Sequence, residues 1–290
     1  MKKYYALIFL LAVCLGSFAQ GKKKNPALNP KQNKKNDFLD KQWWLGFKGG
    51  FNLSQAVSQK QYTILTPTNY DASLNNKTYD SYNVPGIVAT VEASFYYKSF
   101  YFSFQPSYRS SFFTYSNQLQ WTNPENAAEM LVQNYHHEQK VEFADLPLLV
   151  KYDITGSRLR PYVQVGIYYS LLINAIKTVT VTGTDFASGG TNPLNSDPVI
   201  VGTKDLFTNY WGPIGGAGVT YQLGNVRLVL DASYRYGMSN IVNAKNRFSN
   251  DRLSGIGDAQ DDLKLHNIMV TAGVLFPMRF LSTDFKSNDR

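Results

Sequence analysis

Apolar and polar residues alternate with a period of two along much of this chain, the pattern of strands with one greasy and one polar face. In EFADLPLLVKYDI, residues 142 to 154, Ala144, Leu146, Leu148, Val150, Tyr152 and Ile154 share one face, while Phe143, Asp145, Pro147, Leu149, Lys151 and Asp153 share the other. Seven further stretches repeat the pattern. The first sets Trp43, Leu45, Phe47 and Phe51 against Lys48 and Asn52; the second sets Ile87, Val91, Ala93 and Phe95 against Thr90, Glu92 and Ser94. The third sets Phe100, Phe102, Phe104 and Tyr108 against Ser103, Gln105 and Arg109. After residues 142 to 154 come Val163, Val165, Ile167, Tyr169, Leu171 and Ile173 opposite Tyr162, Gln164, Ser170 and Asn174, then Trp211, Ala217, Val219 and Tyr221 opposite Gly212, Gly216 and Gly218. The last two set Val226, Leu228, Leu230 and Tyr234 against Arg227, Asp231 and Arg235, and Ile268, Val270, Val274 and Phe276 against Asn267 and Thr271. Eight amphipathic strands are therefore expected, and their connections decide what the apolar faces meet.

Short turns at Lys98-Ser99, Thr155-Gly156-Ser157 and Gly224-Asn225 alternate with long polar connections near residues 56 to 82, 117 to 137, 184 to 207 and 245 to 262. This alternation, the even strand number and both chain ends on the short-turn side suit an outer-membrane barrel, with tight periplasmic turns and long outer loops. The expected fold is all-β: an eight-stranded antiparallel transmembrane β-barrel with up-and-down meander, apolar face toward lipid and polar face toward the lumen. Closure matters because an open sheet edge in hydrocarbon leaves backbone groups unpaired. Trp43, Trp44, Tyr96, Tyr97, Tyr152 and Trp211, near strand ends, are expected in the interfacial aromatic girdles. The alternative is a secreted sandwich or lipocalin-like barrel, with apolar faces inward and charges outward.

Residues 1–19 read as a secretory signal, with Lys2 and Lys3, an apolar run from Tyr4 to Phe18, and small residues Ser17 and Ala19 at the cleavage site. Bulky Val13 speaks against lipidation at Cys14. Cys14 is the one cysteine, so the cleaved chain is expected to have no disulfide and no thiolate chemistry. The net charge is +8, and much of the surplus lies in residues 20–42, where seven lysines stand against Asp37 and Asp40. That segment reads as a basic periplasmic linker, residues 43–278 as the barrel and residues 279–290 as a polar tail. Basic residues that are not interleaved with stacking aromatics, in an exported chain, argue against nucleic acid as a partner.

The run VEFADLPLLVKYDITGSRLRPYVQVGIYYSLL, with its Pro-Leu-Leu-x-Lys-Tyr strand, short turn and Pro-Tyr-Val-x-x-Gly, resembles the outer-membrane β-barrel domain family common in Bacteroidota. GFKGGFNLS looks like that family's first strand, and GGAGVTYQLGNVRLVLDASYRYGMSNI with HNIMVTAGVLF like its sixth to eighth; the likeness runs from about Trp43 to Met278. The resemblance implies a small barrel similar to the OmpA and OmpX types, in a family that includes PorT-type accessory proteins of type IX secretion. The basic segment before the first strand and the tail RFLSTDFKSNDR depart from that pattern.

Eight strands leave an interior just wide enough for side chains to fill. The inward face holds Lys48, Arg109, Lys151, Arg227 and Arg235 with Glu92, Asp145, Asp153 and Asp231, expected to pair as a lumenal charge network with a structural role. The sharper alternative, a path for ions or solutes, requires a continuous water channel. His136 and His137 fall in a long connection, His266 opens the last strand, and no His-x-x-x-His pair exists for a metal. No spacing supports a lipid hydrolase built on His266 and Ser254, and GPIGGAG lacks the helix that follows a phosphate loop. No enzyme activity, cofactor or metal is expected. The long connections carry net charges of 0, −2, −2 and −1, a mildly acidic outer crown. The expected partners are outer-membrane lipid and lipopolysaccharide, and a periplasmic protein docked through Lys22 to Lys41 if the chain serves secretion. The reading is a structural or binding barrel with a side-chain-filled lumen; the alternatives are a PorT-like accessory of type IX secretion and a small porin.

Overall fold

The computed structural model describes residues 41–64, 76–155, 158–188 and 190–278. The signal at 1–19, the linker up to residue 40 and the tail at 279–290 lie outside the described residues. Period-two alternation produces eight long strands: β1 (Lys41–Lys60), β2 (Ser81–Tyr97), β3 (Phe100–Phe104 continued by Ser107–Thr122), β4 (Met130–Asp153), β5 (Leu159–Asp185), β6 (Tyr210–Leu223), β7 (Val226–Arg235) and β8 (Asp262–Pro277). β1 starts at Lys41, so Gln42 is part of the barrel wall. Pro106 contributes no N–H, yet β3 keeps one register through it, from Ala93↔Phe104 to Thr90↔Ser107 on one side and from Phe104↔Leu148 to Ser107↔Asp145 on the other.

Each strand pairs antiparallel with its neighbours in sequence, and β1 pairs with β8 from Trp44↔Pro277 to Lys60↔Asp262. The sheet therefore closes into a ring, and among the described residues each of the eight long strands pairs with a long strand on both sides. Gly46 and Gly50 let β8 pass close to β1; a Cβ there would lie 2.1 and 1.9 Å from the carbonyl oxygens of Val274 and Val270. A two-residue turn joins β2 to β3, with Lys98 and Ser99 both at positive φ, as the primed turns that match strand twist require.

Toward the short turns the outward side chains are apolar: Phe47 is 61%, Leu148 57% and Val165 63% exposed. The inward ones are polar, which inverts the order of a soluble protein and suits strands whose outer face meets hydrocarbon. Toward the long connections the sense reverses. On β5, Ala175, Lys177 and Val179 are buried while Thr182 is exposed. The change of phase occurs at a bulge, where Glu142 pairs with Asn174 but Phe143 with Leu172, leaving Ile173 as an extra residue. Unbroken alternation would put Asn174 inward beside Ser170; the bulge gives that place to Ala175 and Lys177 instead.

The long connections are accordingly strand for much of their length. β3 and β4 run on to Thr122 and from Met130, β1 extends to Lys60 and β5 to Asp185, and the short strands Thr78–Tyr79, Asn192–Asn195 and Val199–Gly202 pair onto β3 and β5. His136 and His137 lie in β4 rather than in a loop, and His137 is buried. The inner side of this crown holds an apolar core that includes Phe113, Tyr115, Val179, Leu206, Ile241 and Leu253. A single helical turn, Asp251–Gly255, carries Leu253 into that core, and its Asn250 cap accepts the Leu253 N–H at 3.2 Å. Burying such a leucine contributes roughly 1.5–3 kcal/mol.

Of the six aromatic residues expected at the interfaces, Trp43, Tyr152 and Trp211 are exposed on the outer face. Trp44 is only 2% exposed, and Tyr96 packs against its buried cluster. A strand sends adjacent residues to opposite faces, so Trp43 and Trp44 cannot share a girdle.

Candidate functional site

The inward residues form layers up the barrel. At the short-turn mouth, Arg227 lies with its guanidinium carbon 3.8 Å from the centroid of the Trp44 ring and donates to Gln222 Oε1 at 2.7 Å and to the Tyr101 hydroxyl. Tyr101 donates in turn to Asp153 at 3.0 Å, and Arg160 reaches Asp153 at 3.5 Å.

Above it, Lys48 pairs with Glu92 and Asp231, both at 2.9 Å, and Lys151 pairs with Glu92 at 2.7 Å. Tyr162 and Thr271 donate to Asp231 at 3.1 and 2.8 Å, Ser103 to Glu92 at 3.1 Å, and Lys48 also reaches Gln105 at 2.9 Å. Two ammonium groups face two carboxylates, so this layer is neutral.

The third layer centres on Asp145, which accepts from Arg109 Nε at 2.7 Å, Arg109 Nη2 at 3.2 Å and Ser170 at 2.6 Å, and also from Arg235 Nη1. Arg109 continues to the Tyr210 hydroxyl at 2.7 Å and to Asn267 Oδ1 at 3.1 Å. Asn52 donates to Ser111 at 2.9 Å, and Ser54 to Asn267 at 2.9 Å. Two guanidinium groups share one carboxylate, leaving one positive charge in excess. The two upper layers each join seven strands: the Lys48 layer omits β6, the Asp145 layer omits β2, and together they bond every strand across the lumen.

The structure thus brings Lys48, Glu92, Lys151 and Asp231 into one group and Arg109, Asp145 and Arg235 into another, while Arg227 stands apart on Trp44. A buried ion pair adds little net stability, but removing one partner of such a pair costs about 3–5 kcal/mol.

A fourth layer, in the crown, comes from residues that sequence reasoning did not single out. Lys177 reaches Asp258 at 2.6 Å, Gln260 at 3.0 Å and the Tyr115 hydroxyl at 2.7 Å, while Lys77 pairs with Asp258 and Asp261, both at 3.1 Å. Burial opposes ionisation of Asp258, but Lys177 and then Lys77 outweigh it and hold the carboxyl well below the usual carboxylate range. Lys77, Asp258 and Asp261 all sit in stretches read as loops, so part of the charge assigned to the surface is internal. The alternation TVTVT from Thr178 to Thr182, in phase with Lys177, was the one signal for this layer.

His266 accepts from the Gly237 N–H at 3.1 Å through Nδ1 and stacks on Tyr236 with centroids 4.4 Å apart. Among the described residues no group of three or more His, Cys, Asp or Glu is placed to hold a metal ion.

No curated protein matches the chain. Solved structures similar to it include Neisserial surface protein A, 14% identical over 81% of this chain and 96% of that one at a TM-score of 0.30. Ail, the attachment invasion locus protein of Yersinia pestis, is 13% identical over 81% and 99% at 0.30, and a Pseudomonas aeruginosa FadL homologue is 8% identical over 81% and 90% at 0.22. At these scores none of them bears on function. The family model described as outer membrane protein beta-barrel domain matches residues 18–243, well over half of the chain. With its strands closed into a ring, the chain belongs to that family, as a protein of the cell outer membrane.

Proposed function

We propose that the protein is a structural or binding barrel whose lumen is closed by paired side chains, and that it does not conduct solutes. The observation that carries this reading is the span of the Lys48 and Asp145 layers, which tie all eight strands across the lumen by hydrogen bonds and ion pairs. Opening a path would separate buried charges at several kcal/mol for each pair broken. The short-turn end faces the periplasm and the crown faces outward, toward lipopolysaccharide, in keeping with the hairpin lengths of outer-membrane barrels. The test is conductance: purified protein in planar bilayers gives no stable open level, and reproducible large steps would establish the porin alternative instead.

The basic residues Lys22 to Lys41 support a second reading, in which the barrel anchors a periplasmic protein and serves as a PorT-like accessory of type IX secretion. That segment leads directly into β1 at the short-turn end. A deletion strain that secretes cargo normally, together with a pull-down through residues 21 to 41 that captures no periplasmic protein, would rule it out.

A further inference from the structure

At the short-turn mouth, Gln42, Trp44, Arg160, Gln222 and Arg227 line a recess of about 320 Å³. Its chemistry is one-sided. Every other cation of the layers above, from Lys48 to Lys177, pairs with a carboxylate, whereas Arg227, only 5% exposed, makes no ion pair within 4.0 Å among the described residues. Its partners are an amide oxygen and a hydroxyl. The nearby carboxylate, Asp153, is engaged through Oδ2 by Tyr101 and Arg160 while its Oδ1 has no hydrogen-bond partner, so among the described residues the mouth holds two guanidinium groups against one acid. Two further donors are left over. Among the described residues, the indole N–H of Trp44 and the amide nitrogen of Gln42 have no hydrogen-bond partner, although the two residues are 2% and 8% exposed. Indole nitrogen can only donate, so no rotation of the side chain satisfies it with a donor. Buried donors without acceptors, beside a guanidinium short of countercharge, are destabilising unless an acceptor arrives from elsewhere.

We propose that this recess binds a compact oxyanion, a carboxylate or phosphate group, taken from the aqueous compartment at the short-turn end. A group of that kind supplies the missing charge and the missing acceptors together, and guanidinium groups bind it with strong charge-assisted hydrogen bonds. Arg227 lies on the inward face, opposite exposed Leu228, so the oxyanion enters along the barrel axis and not from the lipid side. The volume admits a carboxylate side chain or a chain terminus. This inference goes beyond the closed-barrel reading and holds whichever compartment the mouth faces.

The test uses the full chain in detergent micelles, labelled with ¹⁵N-tryptophan. Its four indole signals come from Trp43, Trp44, Trp121 and Trp211, and Trp44→Phe assigns the one of interest. Acetate and inorganic phosphate, titrated at matched ionic strength, should each shift the Trp44 signal saturably, while chloride leaves it in place. Arg160→Gln should weaken binding about tenfold, the worth of one hydrogen bond to a charged group. Arg160 is less buried than Arg227, so this variant keeps the question answerable where Arg227→Gln fails to refold. An equal shift with chloride, an unresponsive Trp44 signal, or a response confined to short-chain phosphatidic acid would each overturn the proposal.

Discussion

Asp145→Asn is the most direct probe of the lumen. Asp145 is fully buried, and among the described residues its carboxylate is the sole ion-pair partner of both Arg109 and Arg235. Asparagine keeps the shape and one acceptor oxygen but turns an amide toward two guanidinium groups and removes their shared countercharge. A unit-charge pair at about 4 Å is worth about 4 kcal/mol at the effective dielectric of a protein interior, and breaking a buried pair costs about 3–5 kcal/mol. The hydrogen bonds from Arg109 to Tyr210 and Asn267 are present before and after the change, and a net loss of about 4 kcal/mol is expected. Arg235→Gln, by contrast, leaves the bidentate Arg109–Asp145 pair neutral and should cost about 1 kcal/mol. Adding it to Asp145→Asn removes one of the two uncompensated guanidinium groups, with a coupling energy of about 1–3 kcal/mol. Urea unfolding in lipid vesicles, followed by tryptophan fluorescence and by gel mobility without boiling, gives all three values. A loss below about 1 kcal/mol for Asp145→Asn, with no coupling to Arg235, would mean that the guanidinium groups are hydrated and the lumen is open to water, against the closed-barrel reading.

On the outer face, Leu148→Arg should cost about 2–4 kcal/mol in the same vesicle assay, the penalty for a cation at the bilayer midplane. Gln164, buried on the inner face beside Lys151 in the register, should accept Glu with less loss than Val165 does; equal losses at the two positions would show that the faces are misassigned. In the crown, the Asp258 carboxyl is depressed in the folded protein, so its contribution to stability is fully present above about pH 4, near the unfolded value, and is lost as pH falls toward the folded one. Protection factors over residues 251 to 262, taken relative to the intrinsic exchange rate at each pH, should therefore fall on acidification in the wild type, and Asp258→Asn should abolish that fall; protection with the same pH profile in both would refute the assignment.

The ring was legible because its strands obey one rule over ten or so residues each: Leu148 and Lys151 fall on opposite faces by counting alone. The rule fails where the backbone adds a residue. Nothing in LLINAIK marks Ile173 as the bulge, since apolar residues occupy both phases before it as Leu171 and Leu172 and after Asn174 as Ala175 and Ile176, and only the pairing of Glu142 with Asn174 reveals the change of phase. The crown escaped for a different reason. Lys77 meets Asp261 across 184 residues of sequence, and polar residues that come together over such distances leave no local pattern. At Trp44 two signals conflict: its place near a strand end suits a girdle, but the alternation sends it inward, where it is buried.

The seam between β1 and β8 governs how the molecule is made. Seven of the pairings around the ring join strands that follow one another along the chain, but the eighth joins Trp44 to Pro277, roughly 230 residues apart, and must await the last strand. The entropy of closing so long a loop makes this the slow step of assembly. Until it is complete, β1 and β8 each present a full row of unpaired backbone groups, and a second copy of the chain can offer the same edge. Gly46 and Gly50 therefore act on yield before they act on the finished barrel: a side chain at either position delays closure and lengthens the time in which open chains aggregate.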